Sequence, residues 1–313
     1  MASAVASFVV MFMSMVAITL LLRRRGVLGE GAKPIVSTIL LDIIAPALIF
    51  GSVSGAHPST QHIEAAGVVF SSEIITAIIA FAIGRYLIRL DRALLGVFII
   101  ASTFSSTGLI GNALIQILFK GNQDLISTSV IISQFGVGIP ANTLGIFLAI
   151  RFGSSDTQTP MLQHLKKTLT VPCMYALYAG LLWSFLDLPK TGYGLEALFG
   201  TCTLVAAALP FVSAMVVGLS LEKFRFRDDS YVLLSAVIIS LLIQPALVIG
   251  FTNILNLEQN TRVIAQLFSA MPATPLAAVF AVKFGGDASL ASKIVTTTLL
   301  ISAITLPLVA LIG

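Results

Sequence analysis

The sequence predicts an all-α polytopic membrane protein with ten transmembrane helices, and three observations support that fold class. Hydrophobic residues make up 57% of the chain and charged residues 10%, whereas soluble domains carry roughly 25% charged residues. Uncharged apolar segments of about 20 residues, the length that crosses a bilayer, recur along the whole chain. Basic residues fall almost entirely in alternate gaps between those segments.

The basic residues predict the orientation of the helices as well as their number. Fifteen of the 18 Lys and Arg residues lie in odd-numbered gaps, as Arg23, Arg24 and Arg25 do in the first. Because Lys and Arg near helix ends are retained in the cytoplasm, these gaps are predicted to be cytoplasmic and both termini extracytoplasmic. The chain is thus predicted to be integral to a plasma membrane, such as a bacterial inner membrane. Topology also explains the net charge of +4, so no nucleic-acid partner is predicted.

A polar stretch at residues 152–163, rich in Gly, Ser and Thr, divides the ten predicted spans into two groups of five. We place the spans near residues 3–22, 34–53, 63–84, 94–118, 126–150, 168–186, 195–221, 230–251, 261–282 and 290–312. The predicted units are a first repeat, a cytoplasmic linker and a second repeat, at residues 1–150, 151–167 and 168–313. Because five is odd, the second repeat is predicted to cross the membrane in the opposite sense to the first.

A faint ladder of matching residues also relates the two groups. Five residues recur 165 positions later as Phe284, Gly286, Leu290, Ser292 and Val295, the first members being Phe119, Gly121, Leu125, Ser127 and Val130. Together with the opposite topology, the ladder predicts an inverted repeat, an architecture common among secondary transporters.

Spans four and nine each contain residues that interrupt helices. Span nine holds the sequence Met271-Pro272-Ala273-Thr274-Pro275, and each proline lacks an N–H and clashes with the carbonyl one turn earlier. Span four holds Ser105-Ser106-Thr107-Gly108, followed by Asn112. Ser, Thr and Gly tolerate irregular backbone and supply hydroxyl groups to freed backbone atoms. The alternative is that the prolines only kink span nine and that the serines pack between helices.

Two broken helices at equivalent positions of two repeats are typical of a transporter binding site. A half-helix that begins inside the membrane presents free N–H groups and a partial positive charge, which can hold an anion without a buried Lys or Arg. We therefore expect the following residues to form the site: Ser105, Ser106, Thr107, Asn112, Met271, Pro272, Ala273 and Thr274.

Two acidic residues lie within predicted spans, where a charge is costly and is a functional candidate by default. Glu73 in span three and Asp42 in span two, one turn before Pro46, are the candidates for coupling transport to an ion. A structural carboxyl beside the Pro46 kink is the alternative for Asp42. The three histidines, His57, His62 and His164, lie in loops or at span ends. The sequence therefore predicts no metal site, no cofactor beyond a coupling H⁺ or Na⁺, and no enzyme activity.

Several motifs resemble the auxin efflux carrier family, which includes plant auxin carriers and bacterial permeases for malonate or malate. They are the run from Leu22 to Leu28 with its three arginines, the stretch from Ala45 to Phe50, the stretch from Ser106 to Gly111, and Pro272 with the Gly285-Gly286-Asp287 turn. The resemblance covers nearly the whole chain.

The resemblance implies an elevator-type carrier of organic anions. Spans one, two, six and seven would form a scaffold, and the other six a moving transport domain that carries the substrate where spans four and nine cross. It also implies a substrate contact for Gln134 and for Ser106, where plant members have asparagine. The serine at that position, and Ala77 in place of a lysine, argue against auxin itself.

Two alternatives stay open at this point. One is a sodium-coupled carrier of the bile-acid symporter type, whose glutamate at the ninth-helix break has no counterpart in Met271–Pro275. The other is a membrane receptor that uses a transporter fold, since fold does not determine function. The sequence also leaves open which acid is carried, in which direction, with which ion, and whether the protein is a homodimer.

Overall fold

The computed structural model describes residues 2–29, 31–55, 59–119, 122–153, 166, 169–192, 194–220, 230–255 and 257–312. Throughout these ranges the chain forms helices and their connections, and the only extended pairing is an isolated bridge between Ser105 and Ala273. Most of the predicted linker 151–167 lies outside the described residues, as do His57 and His164. The basic residues of the seventh gap lie outside them too: Lys223, Arg225 and Arg227.

The helices follow the predicted spans in order. We number them α1 (Ala2–Arg24), α2 (Ala32–Val53), α3 (Thr60–Leu87), α4 (Arg92–Thr103), α5 (Asn112–Leu118), α6 (123–153), α7 (Pro172–Phe185), α8 (195–220), α9 (Ser230–Ile254), α10 (Gln259–Ser269), α11 (Leu276–Phe284) and α12 (Ala288–Ile312). Spans four and nine each correspond to two helices, α4 with α5 and α10 with α11.

Six of these helices are long and apolar enough to cross a membrane: α2, α3, α6, α8, α9 and α12. In a water-free bilayer core the backbone polar groups must be paired internally, which a helix achieves. The chain is therefore an all-helical integral membrane protein with several spans. Ten crossings remain a prediction, because the pieces of spans four and nine are each too short to cross alone.

Wide helical turns with i to i+5 bonds occur just before three prolines. These turns are Leu40–Ile44 in α2, Gln134–Gly138 in α6 and Ile239–Ile243 in α9, and each ends two residues before Pro46, Pro140 or Pro245. A proline clashes with the carbonyl four residues earlier, which in each case belongs to the central residue of the wide turn. Widening the turn lets the chain accept the proline without ending the helix.

The helices fall into two groups that also pack against each other, α1 against α12 and α2 against α11. In the first group α2 packs against α7 and α8, and α1 packs against the second half of α8. In the second group α3 packs against α4, α6, α9 and α10, and α12 packs against α4 and α11. The four largest fully buried side chains belong to the second group, in α4, at the span-four break, in α10 and in α11 respectively: Phe98, Phe104, Phe268 and Phe280.

Helix boundaries recur at the offset that the sequence ladder showed. The residues Gln123 and Ala288, which begin α6 and α12, are 165 positions apart. The residues Leu118 and Phe284, which end α5 and α11, are 166 positions apart. The two halves of the chain therefore place these helix boundaries at equivalent positions after their broken spans.

Candidate functional site

The broken segments of spans four and nine pair with each other. Ser106 N–H donates to the Pro272 carbonyl at 2.8 Å, and Thr274 N–H donates to the Phe104 carbonyl at 2.9 Å. These two bonds enclose Ser105 and Ala273 as an antiparallel pair. Because neighbouring backbone amides in extended chain point in opposite directions, the N–H groups of Ser105 and Ala273 face away from the bridge.

The span-four side of this crossover keeps free backbone donors. After Ser106, the wide turn Thr107–Gly111 begins, and its first bonds run from Ile110 and Gly111 to the Ser106 carbonyl. Within the described residues, the N–H groups of residues 107–109 have no backbone acceptor. Unpaired N–H groups at the start of a helical segment are the donors that bind anions.

On the span-nine side of the crossover, the backbone N–H groups already have acceptors. Ala273 N–H donates to Thr298 Oγ1 at 3.1 Å, and Leu276 N–H points to Thr274 Oγ1 at 3.4 Å. The amides of residues 277 and 278 donate to carbonyls three residues earlier, and Pro275 has no N–H. We had expected two helix ends to present donors, whereas the structure leaves free N–H groups on span four alone of the two.

A cavity of about 60 Å³ lies beside the crossover. By the measure in which one water needs about 10–15 Å³, it has room for about four to six waters. Five of the predicted site residues line it: Ser105, Ser106, Thr107, Gln134 and Thr274. The remaining wall comes mostly from α2, α6 and α8, with Gly108 of the span-four turn and Leu276 of α11. Its members in those three helices are Ala45, Leu48, Ile49, Ser133, Val137, Gly138, Ala141, Asn142 and Leu209.

The cavity has polar atoms that lack partners and no charge of its own. Within the described residues, Ser105 Oγ, Ser106 Oγ and Asn142 Oδ1 are buried without a hydrogen bond. Thr107 Oγ1 accepts from Ser133 Oγ at 2.9 Å, which leaves the threonine hydroxyl proton free to donate. None of the described residues lining the cavity is charged. Buried polar atoms normally have hydrogen-bond partners. The lack of partners for these atoms therefore indicates a place for a ligand or water.

Four predicted site residues lie elsewhere. Three of them do not line the cavity: Met271, Pro272 and Ala273. The Pro272 carbonyl is hydrogen-bonded in the crossover, and the Ala273 N–H is hydrogen-bonded to Thr298. Met271 is fully buried. Asn112 begins α5, where its Oδ1 accepts from Ser129 Oγ at 3.3 Å. These four residues lie at or next to the breaks but outside the cavity lining, and their contact with a ligand stays a prediction.

Glu73 lies directly behind the span-four break. Its side chain is buried, with 1% exposure, and the Ser105 N–H is the backbone group that faces its carboxyl. Neither carboxyl oxygen has a hydrogen bond of normal geometry to any described residue. An unpaired charge in such surroundings is costly, so a carboxyl at this position is sensitive to protonation and to bound cations.

Asp42 is in a different situation, because it pairs with Lys283. Asp42 Oδ1 accepts from Lys283 Nζ, and both side chains are partly exposed. Asp42 is the central residue of the wide turn in α2, and Lys283 lies in the last turn of α11. The pair therefore connects the two helix groups and lies away from the cavity. Sequence reasoning named the acid but did not identify its partner.

Sequence reasoning missed Ser133, Gly108 and the apolar wall. Asn142, which the sequence did not point to as a site residue, also lines the cavity, and its Nδ2 donates to the Gly138 carbonyl at 2.8 Å. The two wide turns of α6, Gln134–Gly138 and Ala141–Gly145, flank Pro140. They direct the face of α6 that includes Ser133 and Asn142 toward span four. Pro140 and the nearby glycines were the available signal for this irregular helix.

Comparison with known proteins gives the family. Residues 4–310 match the sequence profile of the family described as membrane transport protein. The chain is 24% identical over 277 residues to an uncharacterized transporter of Methanocaldococcus jannaschii, with 87% of each chain covered. It is 25% identical over 295 residues to an uncharacterized transporter of Methanothermobacter thermautotrophicus, covering 92% of this chain and 91% of the relative. The chain therefore belongs to this family of membrane transport proteins, the auxin efflux carrier family that its motifs resemble.

Proposed function

We propose that this protein is a secondary carrier of small organic carboxylates and that it binds the anion in the cavity beside the crossover. One observation carries the proposal: span-four residues with free backbone N–H groups or unpartnered hydroxyls line a cavity that has no charge among its described lining residues. A carboxylate supplies the acceptors that these donors lack. The positive charge that balances the carboxylate is then supplied either by a cation that enters with the anion or by a proton from Glu73.

The size of the cavity favours a small acid. A volume of about 60 Å³ fits a compact mono- or dicarboxylate such as malonate or malate far better than an indole ring. The wall from α2 and α8 is apolar, and the polar groups lie on the span-four and α6 side. An acid with one carboxylate toward Ser106 and Thr107 and a short carbon chain toward Leu48 matches this arrangement.

An elevator mechanism agrees with the way the helices are grouped. In this proposal ten helices cross the membrane as two inverted repeats, with extracytoplasmic termini, in a plasma membrane. The group of α1, α2, α7 and α8 forms the scaffold, and the other helices carry the substrate. The cavity lies where the two groups meet, since Ala45 and Leu209 line it from the scaffold and Ser106 from the opposite group. The Asp42–Lys283 pair crosses the same boundary, so the pair must open when one group slides past the other.

We assign the coupling role to Glu73, which contacts the back of the break through the Ser105 amide. Loss or gain of a proton at this carboxyl changes the charge directly behind the serine hydroxyls. The bound anion and the proton then favour each other, which is the requirement for cotransport.

The test is the transport current of purified protein in liposomes on a solid-supported membrane. Malonate, malate and indole-acetate are applied in turn, with and without sodium, between pH 5.5 and 8. We expect a saturable current with a small acid and its loss in Glu73→Gln. The matched control is Glu64→Gln, which removes an exposed acid from the same helix and should leave the current unchanged.

Two results would contradict the proposal. If neither a current nor isotope exchange is found with any of the three acids, the substrate belongs to another class. If Glu73→Gln transports with an unchanged pH profile, Glu73 is structural. A current that requires sodium at every pH would instead identify the coupling ion as Na⁺.

A further inference from the structure

A second cavity, with four arginines in its lining, lies at the opposite end of α4 from the crossover. Its volume is about 410 Å³, and it is enclosed by the end of α3, the start of α4 and the end of α6. Its basic lining residues are Arg85, Arg89, Arg92 and Arg151, and Asp91 is the one acidic residue among the described lining residues. Apolar side chains complete the wall: Phe81, Leu90, Leu95 and Phe152.

The four guanidinium groups are not neutralised by the part of the chain that the structure describes. None of them forms an ion pair with a described carboxylate, Asp91 included. Arg92 donates to the Arg151 carbonyl, which ties the start of α4 to the end of α6. Arg92 Nε is buried and has no described partner. Positive charge that is held together in this way attracts an anion with several acceptor oxygens.

The backbone around Arg89 is held in an unusual conformation. Arg89 has φ of 60°, a left-handed value that is unfavourable for a non-glycine residue. Hydrogen bonds on both sides hold it there, from Ile88 N–H to the Ile83 carbonyl at 2.9 Å and from Leu90 N–H to the Gly84 carbonyl at 2.8 Å. The chain thus reverses direction at Arg89, so that Arg85 and Arg92 line the same cavity.

Exposed aromatic and apolar side chains lie beside the cavity, on the outside of the helix bundle. Tyr86 and Leu87 are 71% and 77% exposed, and Phe81 in the cavity wall is 38% exposed. All three lie in the last two turns of α3, a helix that is apolar enough to cross a membrane. Exposed aromatic and basic residues at the end of such a helix are typical of the membrane–water interface.

We propose that this cavity binds the phosphate group of an anionic phospholipid. Arg85, Arg89 and Arg151 hold the phosphate oxygens, and Phe81 and Phe152 contact the glycerol and the first methylene groups. A free phosphate shares the oxyanion chemistry but uses only the basic half of the lining. The predicted cytoplasmic position of the cavity places it in the leaflet that carries most anionic lipid.

The test is native mass spectrometry of the purified full chain titrated with phosphatidylglycerol, phosphatidylcholine or inorganic phosphate. We expect one phosphatidylglycerol to bind with at least tenfold preference over phosphatidylcholine. The Arg85→Gln/Arg89→Gln variant should bind it about tenfold or more weakly, since each basic residue contributes roughly a kcal/mol to anionic-lipid affinity. Both side chains are exposed, so the variant should fold normally.

The matched control is Arg24→Gln/Arg25→Gln, which removes two exposed charges from the same predicted membrane face outside the cavity. It should keep the affinity for phosphatidylglycerol within about threefold of the unmodified chain. Equal loss in the two variants, or equal binding of the two lipids, would overturn the proposal. Binding of inorganic phosphate that displaces phosphatidylglycerol at equal concentration would overturn the lipid assignment and identify a phosphate site.

Discussion

The broken segment of span four and the broken segment of span nine hold the same bridge, yet they use their polar groups in opposite ways. Span nine is interrupted by prolines, and its amides are consumed by Thr298, by the crossover and by local turns. Span four has no proline, and its residues 107–109 keep free N–H groups beside unpartnered hydroxyls of Ser105 and Ser106. The comparison shows that two breaks at equivalent positions can differ, since one segment has its donors paired and the other keeps them free. In the function proposed above, the span-nine segment is the bracing segment and the span-four segment is the binding segment.

The chemical cause of the difference is the residue type at each break. A break at proline is caused by the residue itself. The proline lacks an N–H, and its ring clashes with the carbonyl one turn earlier, whatever surrounds it. A Ser-Ser-Thr-Gly break depends on partners, because each of these residues can also enter a helix. Span four therefore needs span nine to stay open, and its leftover donors remain available to a ligand.

The largest effect is expected from removing the hydroxyls of the binding segment. Ser106→Ala/Thr107→Ala should weaken the apparent affinity for the transported acid about 100-fold, because each hydrogen bond to an anion contributes about 1.5 kcal/mol. The measurement is the substrate dependence of transport current in liposomes.

The matched control for this variant is Ser102→Ala/Thr103→Ala. This pair has the same residue types, is also buried with unpartnered hydroxyls, and lies one turn earlier, outside the cavity lining. The affinity of this control variant for the transported acid should change less than about threefold. Equal losses in the two variants would show that packing of α4, and not ligand contact, is responsible.

A smaller effect is expected from filling the cavity on the span-four side. A methyl group at Gly108 would lie 4.0 Å from Ser133 Oγ, its nearest neighbour, whereas one at Gly111 would lie 2.8 Å from a ring carbon of Phe268. Gly108→Ala should therefore weaken affinity about tenfold and leave the thermal midpoint unchanged. Gly111→Ala should lower stability by about 1–3 kcal/mol instead. Thermal unfolding and transport current on both variants measure the two effects, and the reverse pattern would contradict the cavity assignment.

The smallest effect on affinity is expected on the bracing side. Thr298→Val removes the hydroxyl that accepts from Ala273 N–H, and a buried N–H without a partner costs about 1–3 kcal/mol. The thermal midpoint should fall, and the affinity for the acid should stay within about threefold. A loss of affinity as large as that of the Ser106/Thr107 variant would show that span nine also binds the ligand.

Much of this arrangement could be predicted from the sequence, and its limits have a physical reason. Pro272, Pro275 and the Ser-Ser-Thr-Gly run identified both breaks, because helix interruption is a local property of residue type. Which amides remain free depends on the pairing of Ser106 with Pro272, residues that are 166 positions apart, and no local rule fixes that pairing.

The face of α6 shows the same limit. Gln134 was expected in the site, but Ser133 and Asn142 join it only because two wide turns shift the helical phase. Similarly, the sequence identified Asp42 as an acid within a predicted span, while its partner Lys283 follows 241 residues later. Residue type therefore predicted where the chain is irregular, and long-range packing decided which atoms meet.

The bridge between Ser105 and Ala273 also constrains how the protein is made. Ribosomes synthesise chains from the N-terminus, so span four enters the membrane long before the Pro272 carbonyl exists. Until span nine arrives, Ser106 N–H lacks its acceptor and the segment is free to close into a plain helix. The cavity beside the crossover consequently cannot form before Pro272 has been synthesised, and a chain released before that point carries the span-four residues without the pairing that holds their segment open.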